Sequence, residues 1–258
     1  MPELPDLQVF ARNIEKTFAG SKLVRLNVIE GKSLTDSEQV LNEFLQGKTL
    51  KSVYRSGKEL RFQFDKDLLL GMHYMLHGNL FEFEEDNKNK FTVVELVFSN
   101  GKGLALTDWQ KKANIKLTPV DKEGVDALSD QLDVDYLKKV LQSKAKVKNV
   151  LTDQKVIRGI GNAYADEILW TARISPFSIS KAIPDEKISD LVRSIKEVFV
   201  SAQEQIEARQ PDIISGEVRD FLKIHKPKAK QSETGAEIKM DKSGGRSTYY
   251  TDEQTLYK

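Results

Sequence analysis

The sequence predicts an α+β protein: an N-terminal helix plus an antiparallel β-sandwich, then a helical domain that ends in a β-hairpin. Three observations predict it. Leu4, Leu7, Phe10, Ile14 and Phe18 recur at helical spacing. After Gly20 the chain breaks into short runs of alternating polarity, as half-buried antiparallel strands do. From about residue 122 helical periodicity returns, until a strand-like terminal segment surrounds MDKSGGRS.

In order, LVRLNVIE, LKSVYRS, LRFQFD, LLLGMHYML, NLFEFE, FTVVELVF, GLALTD and NIKLTP read as strands, bounded by Gly, Asn, Asp and Lys. VDYLKKVLQS, VKNVLTDQ, NAYADEILWTA and the stretch from Asp185 to Glu207 read as helices. The expected domains are therefore 1–121, 122–222 and 223–258. No internal repeat or low-complexity segment interrupts them.

With 258 residues, 39% hydrophobic and 31% charged, the chain has an ordinary folded composition. No apolar run approaches the roughly 18 residues of a membrane span, and MPELPDLQVF lacks a secretory leader's basic start and apolar core. A cytoplasmic monomer without cofactor or membrane association is expected. The absence of cysteine excludes disulfides, thiol nucleophiles and thiolate zinc sites. His73 and His77 have helical spacing but lie in a strand-like segment without HEXXH, so two packed or hydrogen-bonded histidines are expected, with no metal. Net charge is only +1, yet Lys223–Arg246 holds seven basic residues against three acidic. Such a local excess can be a footprint for phosphate, although most charge runs are solvated surface.

Met1-Pro2-Glu3-Leu4-Pro5 is the most informative stretch. Removal of the methionine would leave Pro2 with a secondary amine. An α-amino group has a pKa of about 8, so part of it is neutral and nucleophilic near pH 7. It can attack C1′ of a damaged nucleotide, expel the base and form an iminium. Strand cleavage by elimination can follow, with Glu3 placed for proton transfer. The competing reading is that Pro2 and Pro5 only start a helix, where proline is favoured.

MPELPDLQVFARNI resembles the start of the formamidopyrimidine-DNA glycosylase and endonuclease VIII family, with Asp6 where glutamate is usual. Three further segments match in order. Arg55-Ser56-Gly57-Lys58 resembles the family's Arg-x-Gly-Lys hairpin, which implies a catalytic role near the lesion for Lys58. Asp153-Gln154-Lys155 and Gly159-Ile160-Gly161-Asn162-Ala163-Tyr164-Ala165-Asp166-Glu167 resemble its helix–two-turn–helix signature. Gly245-Arg246-Ser247-Thr248-Tyr249-Tyr250 resembles the end of its terminal finger. At a Gly-rich turn, backbone N–H groups and the Asn162 amide can approach phosphate. Lys148 just upstream is expected to pair with phosphate, and Arg246 at a hairpin tip suits a phosphate clamp. GIGN, a turn lysine or a basic hairpin is weak evidence alone; the specificity lies in their order and spacing.

The sequence also departs from the family's pattern. Where the finger normally carries four zinc-binding cysteines, it has Gln231, Thr234, Thr251 and Gln254. A zincless finger is expected, held by packing of Ile238, Met240, Tyr249 and Tyr250. The family fills the space left by a flipped base with a methionine from one loop and an arginine and phenylalanine from another. Here Leu76 takes the first place, and Gln110 and Lys112 the second. So weak a wedge implies preference for single-stranded, bubble or abasic DNA. Arg219-Asp220-Phe221-Leu222 runs almost directly into Lys223-Ile224-His225-Lys226, without the loop that covers 8-oxoguanine in specialised members. The resemblance therefore implies a glycosylase and abasic-site lyase for oxidised pyrimidines, ring-opened purines or abasic sites in damaged DNA. A second reading is a family scaffold that binds damaged DNA without excising a base. In a third, an unrelated β-sandwich with a helical partner, the matching turns would be coincidences.

Overall fold

The computed structural model describes residues 1–258 and begins with helix α1 (Leu4–Phe18). Pro5 lies in its first turn, and Glu3 and Asp6 form a reciprocal capping box. The Glu3 N–H donates to Asp6 Oδ2 at 2.8 Å. Leu7, Phe10, Ile14 and Phe18, the predicted stripe, are buried in the core of the first unit.

Next come β1 (Leu23–Val28), α2 (Glu38–Leu45), β2 (Leu50–Ser56), β3 (Glu59–Phe64), β4 (Leu69–His73), β5 (Asn79–Glu84), β6 (Thr92–Phe98), β7 (Lys102–Thr107) and β8 (Asn114–Leu117). The strands form two antiparallel four-stranded sheets, ordered β1-β6-β7-β5 and β2-β3-β4-β8. Their inward residues, among them Leu26, Phe62, Leu70, Leu96 and Leu106, join α1 in one apolar core.

Helix α2 has no strong signal in the sequence, because it buries only Leu41 and Leu45. It is held by Ser37 at its N-cap and by Asn42, whose amide bonds both the N–H and the carbonyl of Leu26. LLLGMHYML is strand only as far as His73. Beyond it Tyr74 turns inward, fully buried, and its hydroxyl donates to the Ile214 carbonyl at 3.0 Å. Burial pushes the Tyr74 phenol far up, so it remains a donor at any working pH. The loop closes through Gly78 N–H to the Tyr74 carbonyl at 2.8 Å.

The second unit contains β9 (Val125–Asp126), α3 (Val134–Val140), α4 (Val147–Thr152), β10 (Ile157–Arg158), α5 (Asn162–Thr171), most of α6 (Asp185–Arg209), β11 (Lys239–Ser243) and β12 (Arg246–Tyr250). Strands β11 and β12 pair antiparallel around Gly244 and Gly245, whose φ values of +57° and +77° suit a type I′ turn. The chain divides into Met1–Asp121 with Ile206–Glu217, and Lys122–Gln205 with Val218–Lys258. Residues 223–258, expected as a third segment, cluster with 122–205 in the second unit. Residues 206–217, expected in the helical domain, cluster with the first unit, where the Ile213 and Pro211 carbonyls accept from the Asn13 amide.

Gly78 has no room for a side chain, since a Cβ there would lie 2.1 Å from the Tyr74 carbonyl oxygen. Gly78→Ala should therefore lower unfolding free energy by about 1–3 kcal/mol in urea titration, through forced displacement of the loop.

Candidate functional site

In the first unit the N-terminal segment is largely enclosed. Pro2 and Glu3 are buried, and the Met1 ammonium pairs with the Glu217 carboxylate. No sequence motif singled out Glu217; only folding brings it to the N-terminus. Lys58 lies in the two-residue turn between β2 and β3, where Gly57 adopts φ +58°. Arg55 ties that turn to α1, with Nε on Gln8 Oε1 at 3.1 Å and a second nitrogen on the Gly57 carbonyl at 3.1 Å. Beneath it, buried Arg61 bonds Asp121 at 3.0 Å and Glu59 at 3.2 Å. The sequence-predicted Pro2 and Glu3 thus lead into α1, and Lys58 sits on a turn fastened to it.

Leu76 is 58% exposed, in a loop fixed by Tyr74 and by the Met75 N–H donating to His73 Nδ1 at 2.9 Å. In the loop from Asp108 to Ala113, the buried Asp108 carboxylate accepts from the N–H groups of Gln110, Lys112 and Ala113 at 2.8–2.9 Å. Gln110 is half-buried and Lys112 exposed. The neighbouring Trp109, not singled out in the sequence, is 58% exposed and its ring centroid lies 5.0 Å from that of His77. Its only advance signal is a large aromatic within a polar loop.

In the second unit Lys148, expected as a phosphate contact, is buried. Its ammonium lies 2.7 Å from Asp166 Oδ1 and donates to Thr248 Oγ1 at 2.9 Å. The other Asp166 oxygen accepts from the Tyr249 N–H at 3.1 Å and meets His225 Nδ1 at 2.8 Å. The pairing has an electrostatic reason: a buried ammonium needs a counter-charge, and buried Asp166 supplies it.

Asn162 opens α5 after Gly161, and its amide donates to the Ser247 carbonyl at 2.9 Å. Gly159 takes φ +102°, and Gln154 clamps the turn by accepting from Gly159 N–H at 3.0 Å and donating to the Ile160 carbonyl at 2.8 Å. Gly161 is extended and serves as the N-cap, so of the two glycines only Gly159 needs left-handed backbone. Arg246 is exposed at the hairpin tip, on the rim of a cleft of about 760 Å³ that Asn149, Gln154 and Gly244 also line. Asn162 and Arg246 are therefore brought to neighbouring parts of one hairpin, next to Ser247. Just beyond, Glu167 accepts from the N–H groups of Lys223, Ile224 and His225 at 2.7–2.9 Å. Burial pushes its carboxyl up, against the pull of those three donors. They pin the short connection in which the sequence lacks a covering loop.

The four residues at the expected zinc positions do not fit a zinc ion. Thr234 and Thr251 both direct their hydroxyls to Glu253, at 2.8 and 3.2 Å, and Arg173 reaches the same carboxylate at 2.9 Å. Gln254 accepts from the Thr251 N–H and donates to the Ile174 carbonyl, at 2.9 and 2.8 Å. Gln231 is exposed. The expected packing is corrected in part: Met240 is 58% exposed, Ile238 is only half-buried, and the buried hairpin side chains are Ser243 and Thr248. Tyr249 and Tyr250 do pack, edge-on against His225 and Phe177. The hairpin therefore rests more on polar contacts than on an apolar layer.

Comparison with known proteins bears directly on this arrangement. Residues 1–115 match the formamidopyrimidine-DNA glycosylase N-terminal domain, and residues 124–211 the formamidopyrimidine-DNA glycosylase H2TH domain. A formamidopyrimidine-DNA glycosylase of Pelotomaculum thermopropionicum is 31% identical over 97% of each chain. This chain belongs to the formamidopyrimidine-DNA glycosylase family. A further member, from Lactobacillus johnsonii, is 30% identical over 80% of this chain and 78% of its own length. The family fold is seen in the Lactococcus lactis Fpg bound to DNA containing an abasic site, with TM-score 0.86 and 24% identity over 97% of this chain and 98% of that one. MutM in complex with carbocyclic 8-oxo-G containing DNA gives TM-score 0.86 at 26% identity, with the same coverage. Membership makes this chain a DNA repair glycosylase. No helix in it is long and apolar enough to cross a membrane.

Lys148→Met should lower stability by about 3–5 kcal/mol in thermal or urea unfolding, because buried Asp166 would lose its ammonium partner. Under conditions where the variant is folded, the salt dependence of its DNA binding should match that of the unsubstituted chain. A shallower salt slope would restore Lys148 as a phosphate contact.

The Thr234 hydroxyl, with Arg173 and Thr251, holds Glu253 below its ordinary value of 4.5. A depressed carboxyl contributes stability above its unfolded value and loses it as pH falls through the folded one. Amide exchange across 231–258 should thus quicken, relative to the β-sandwich, as pH falls below the ordinary carboxyl value of 4.5, and Glu253→Gln should remove that extra acid sensitivity.

Proposed function

We propose that the chain excises oxidised or ring-opened bases with Pro2 as nucleophile, once Met1 has been removed, and then cleaves the strand at the abasic site. The observation that supports this best is the N-terminal segment itself. Pro2 is followed by a buried acid, Glu3, that Asp6 fixes at the start of α1, and the ammonium of Met1, the residue before Pro2, pairs with the Glu217 carboxylate.

In the proposed reaction the neutral Pro2 nitrogen bonds to C1′ as the glycosidic bond breaks, and the departing base takes up a proton. Glu3 delivers a proton to the sugar ring oxygen as the ring opens to an iminium. The iminium acidifies the 2′ hydrogen; its loss expels the 3′ phosphate, and water later releases Pro2. Lys58 is assigned to the strand near the lesion, from a turn that Arg55 and Arg61 make rigid. In the second unit Asn162 and Arg246 are assigned to phosphates, which position DNA without reading its sequence. Leu76, Gln110 and Lys112 are assigned to the space left by the flipped base. The missing loop at 219–226 favours oxidised pyrimidines, ring-opened purines and abasic sites over 8-oxoguanine. The place of action follows the damaged DNA, which in a bacterium is the cytoplasm.

Borohydride trapping with methionine-free protein should give a covalent protein–DNA band on a duplex bearing an abasic site or an oxidised pyrimidine. Pro2→Gly should abolish the band while DNA affinity changes less than about threefold, roughly 0.6 kcal/mol. Binding without any band would favour the non-catalytic reading.

A further inference from the structure

Beside the loop of Leu76 the first unit carries a group of aromatic side chains that the reaction above leaves unused. Trp109 and Phe91 are 58% and 61% exposed, and Phe81 is 42% exposed. With His77 they line a cleft of about 490 Å³, within the range of small-ligand sites. Soluble proteins normally bury such rings, and three of them around one cleft mark a binding surface.

The rings are held out by structure. Asp108 fixes the Trp109 loop through three N–H groups. Asn87 orders the approach to Phe91, its amide donating to Thr92 Oγ1 and Glu95 Oε1 while its carbonyl accepts from the Asn89 N–H. Phe91 itself has φ +61°, and the flanking loops hold Met75 and Lys111 at +53° and +58°. Bulky residues seldom adopt left-handed backbone, and such strain collects where a side chain must be presented.

The chemistry of the rim selects the occupant. Asn79 and Asn89 place amides at the cleft, and Lys90 adds an exposed cation to its lining. Flat aromatic faces, amides and a cation together suit a nucleobase with its phosphate. We propose that His77, Phe81, Phe91 and Trp109 form a stacking cleft for an unpaired, undamaged base in a single-stranded segment of the bound DNA. This rests on the DNA-repair reading and adds a second base-binding site to it.

Trp109 offers its own probe, because the other tryptophan, Trp170, is buried. Full-length protein is titrated with an eight-nucleotide single-stranded oligothymidine, and separately with a fully paired duplex carrying a tetrahydrofuran abasic analogue. The single strand should quench Trp109 emission. Trp109→Ala and Phe91→Ala should each weaken single-strand binding about tenfold, in line with stacking on an aromatic platform. Trp109→Phe should keep most of the affinity, and duplex binding should stay within about twofold. Unchanged single-strand affinity in Trp109→Ala would overturn the proposal. So would an equal loss on the duplex, which would make Trp109 a duplex contact. Failure of the unsubstituted chain to bind either DNA would overturn the repair reading as well.

Discussion

In the second unit the ammonium of Lys148 lies out of water, and an isolated buried charge is tolerated only where counter-charge and hydrogen bonds surround it. Asp166 supplies the charge from α5, Thr248 a hydroxyl from β12, and Ser247 a carbonyl. Asp166 then has an oxygen left over, which the Tyr249 N–H and the His225 ring engage. One buried pair thereby fixes α4, α5, the hairpin and the segment before it. The apolar core of the unit gives these elements a place to pack, and the ion pair, with the Asn162–Ser247 and Tyr249–Asp166 bonds, sets the register in which the hairpin meets α5. That register sets Ser247 against Asn162 and leaves Arg246 at the tip.

The first unit divides its labour differently. Two sheets and α1 bury a large apolar core, which makes the frame rigid. Its loops are then held by single polar anchors: Arg55 for the turn of Lys58, Tyr74 for the loop of Leu76, Asp108 for that of Trp109, and Asn87 for the approach to Phe91. Each anchor places its bonds on backbone groups or on a neighbouring fixed side chain. An exposed residue can then be presented in one position without an apolar contact of its own, as a site on a rigid scaffold requires.

The terminal hairpin shows the same economy where a metal would otherwise act. Zinc would gather four ligands at one point and add folding energy directly. Here two threonines and an arginine converge on Glu253, while Gln254 spans two backbone groups. The bonds are individually weaker and partly exposed, and the hairpin is held besides by the Lys148 ammonium on Thr248. Without thiolates the arrangement is indifferent to oxidation, but it acquires a dependence on the ionisation of Glu253.

Much of this was legible in the chain alone. Strand alternation and the stripe of α1 predicted the sandwich, and the Gly-Gly turn predicted the hairpin. Local backbone preferences and the burial of one face act over a few residues and leave a period that can be read. The motifs singled out Pro2, Glu3, Lys58, Asn162 and Arg246 as candidates, because the chemistry proposed for them is carried by residue type. The sequence could not show that Lys148 is a buried structural cation, that 223–258 shares a unit with 122–205, or that Glu217 meets the N-terminus. Nor could it show that His77, Phe81, Phe91 and Trp109 line one cleft. Each of these depends on partners far apart in the chain, and whether a charge is solvated or a ring is covered is set by those partners. Residue type and local period were determined by the sequence; burial and pairing, which decide what a lysine or a tryptophan does, were decided only by the tertiary structure.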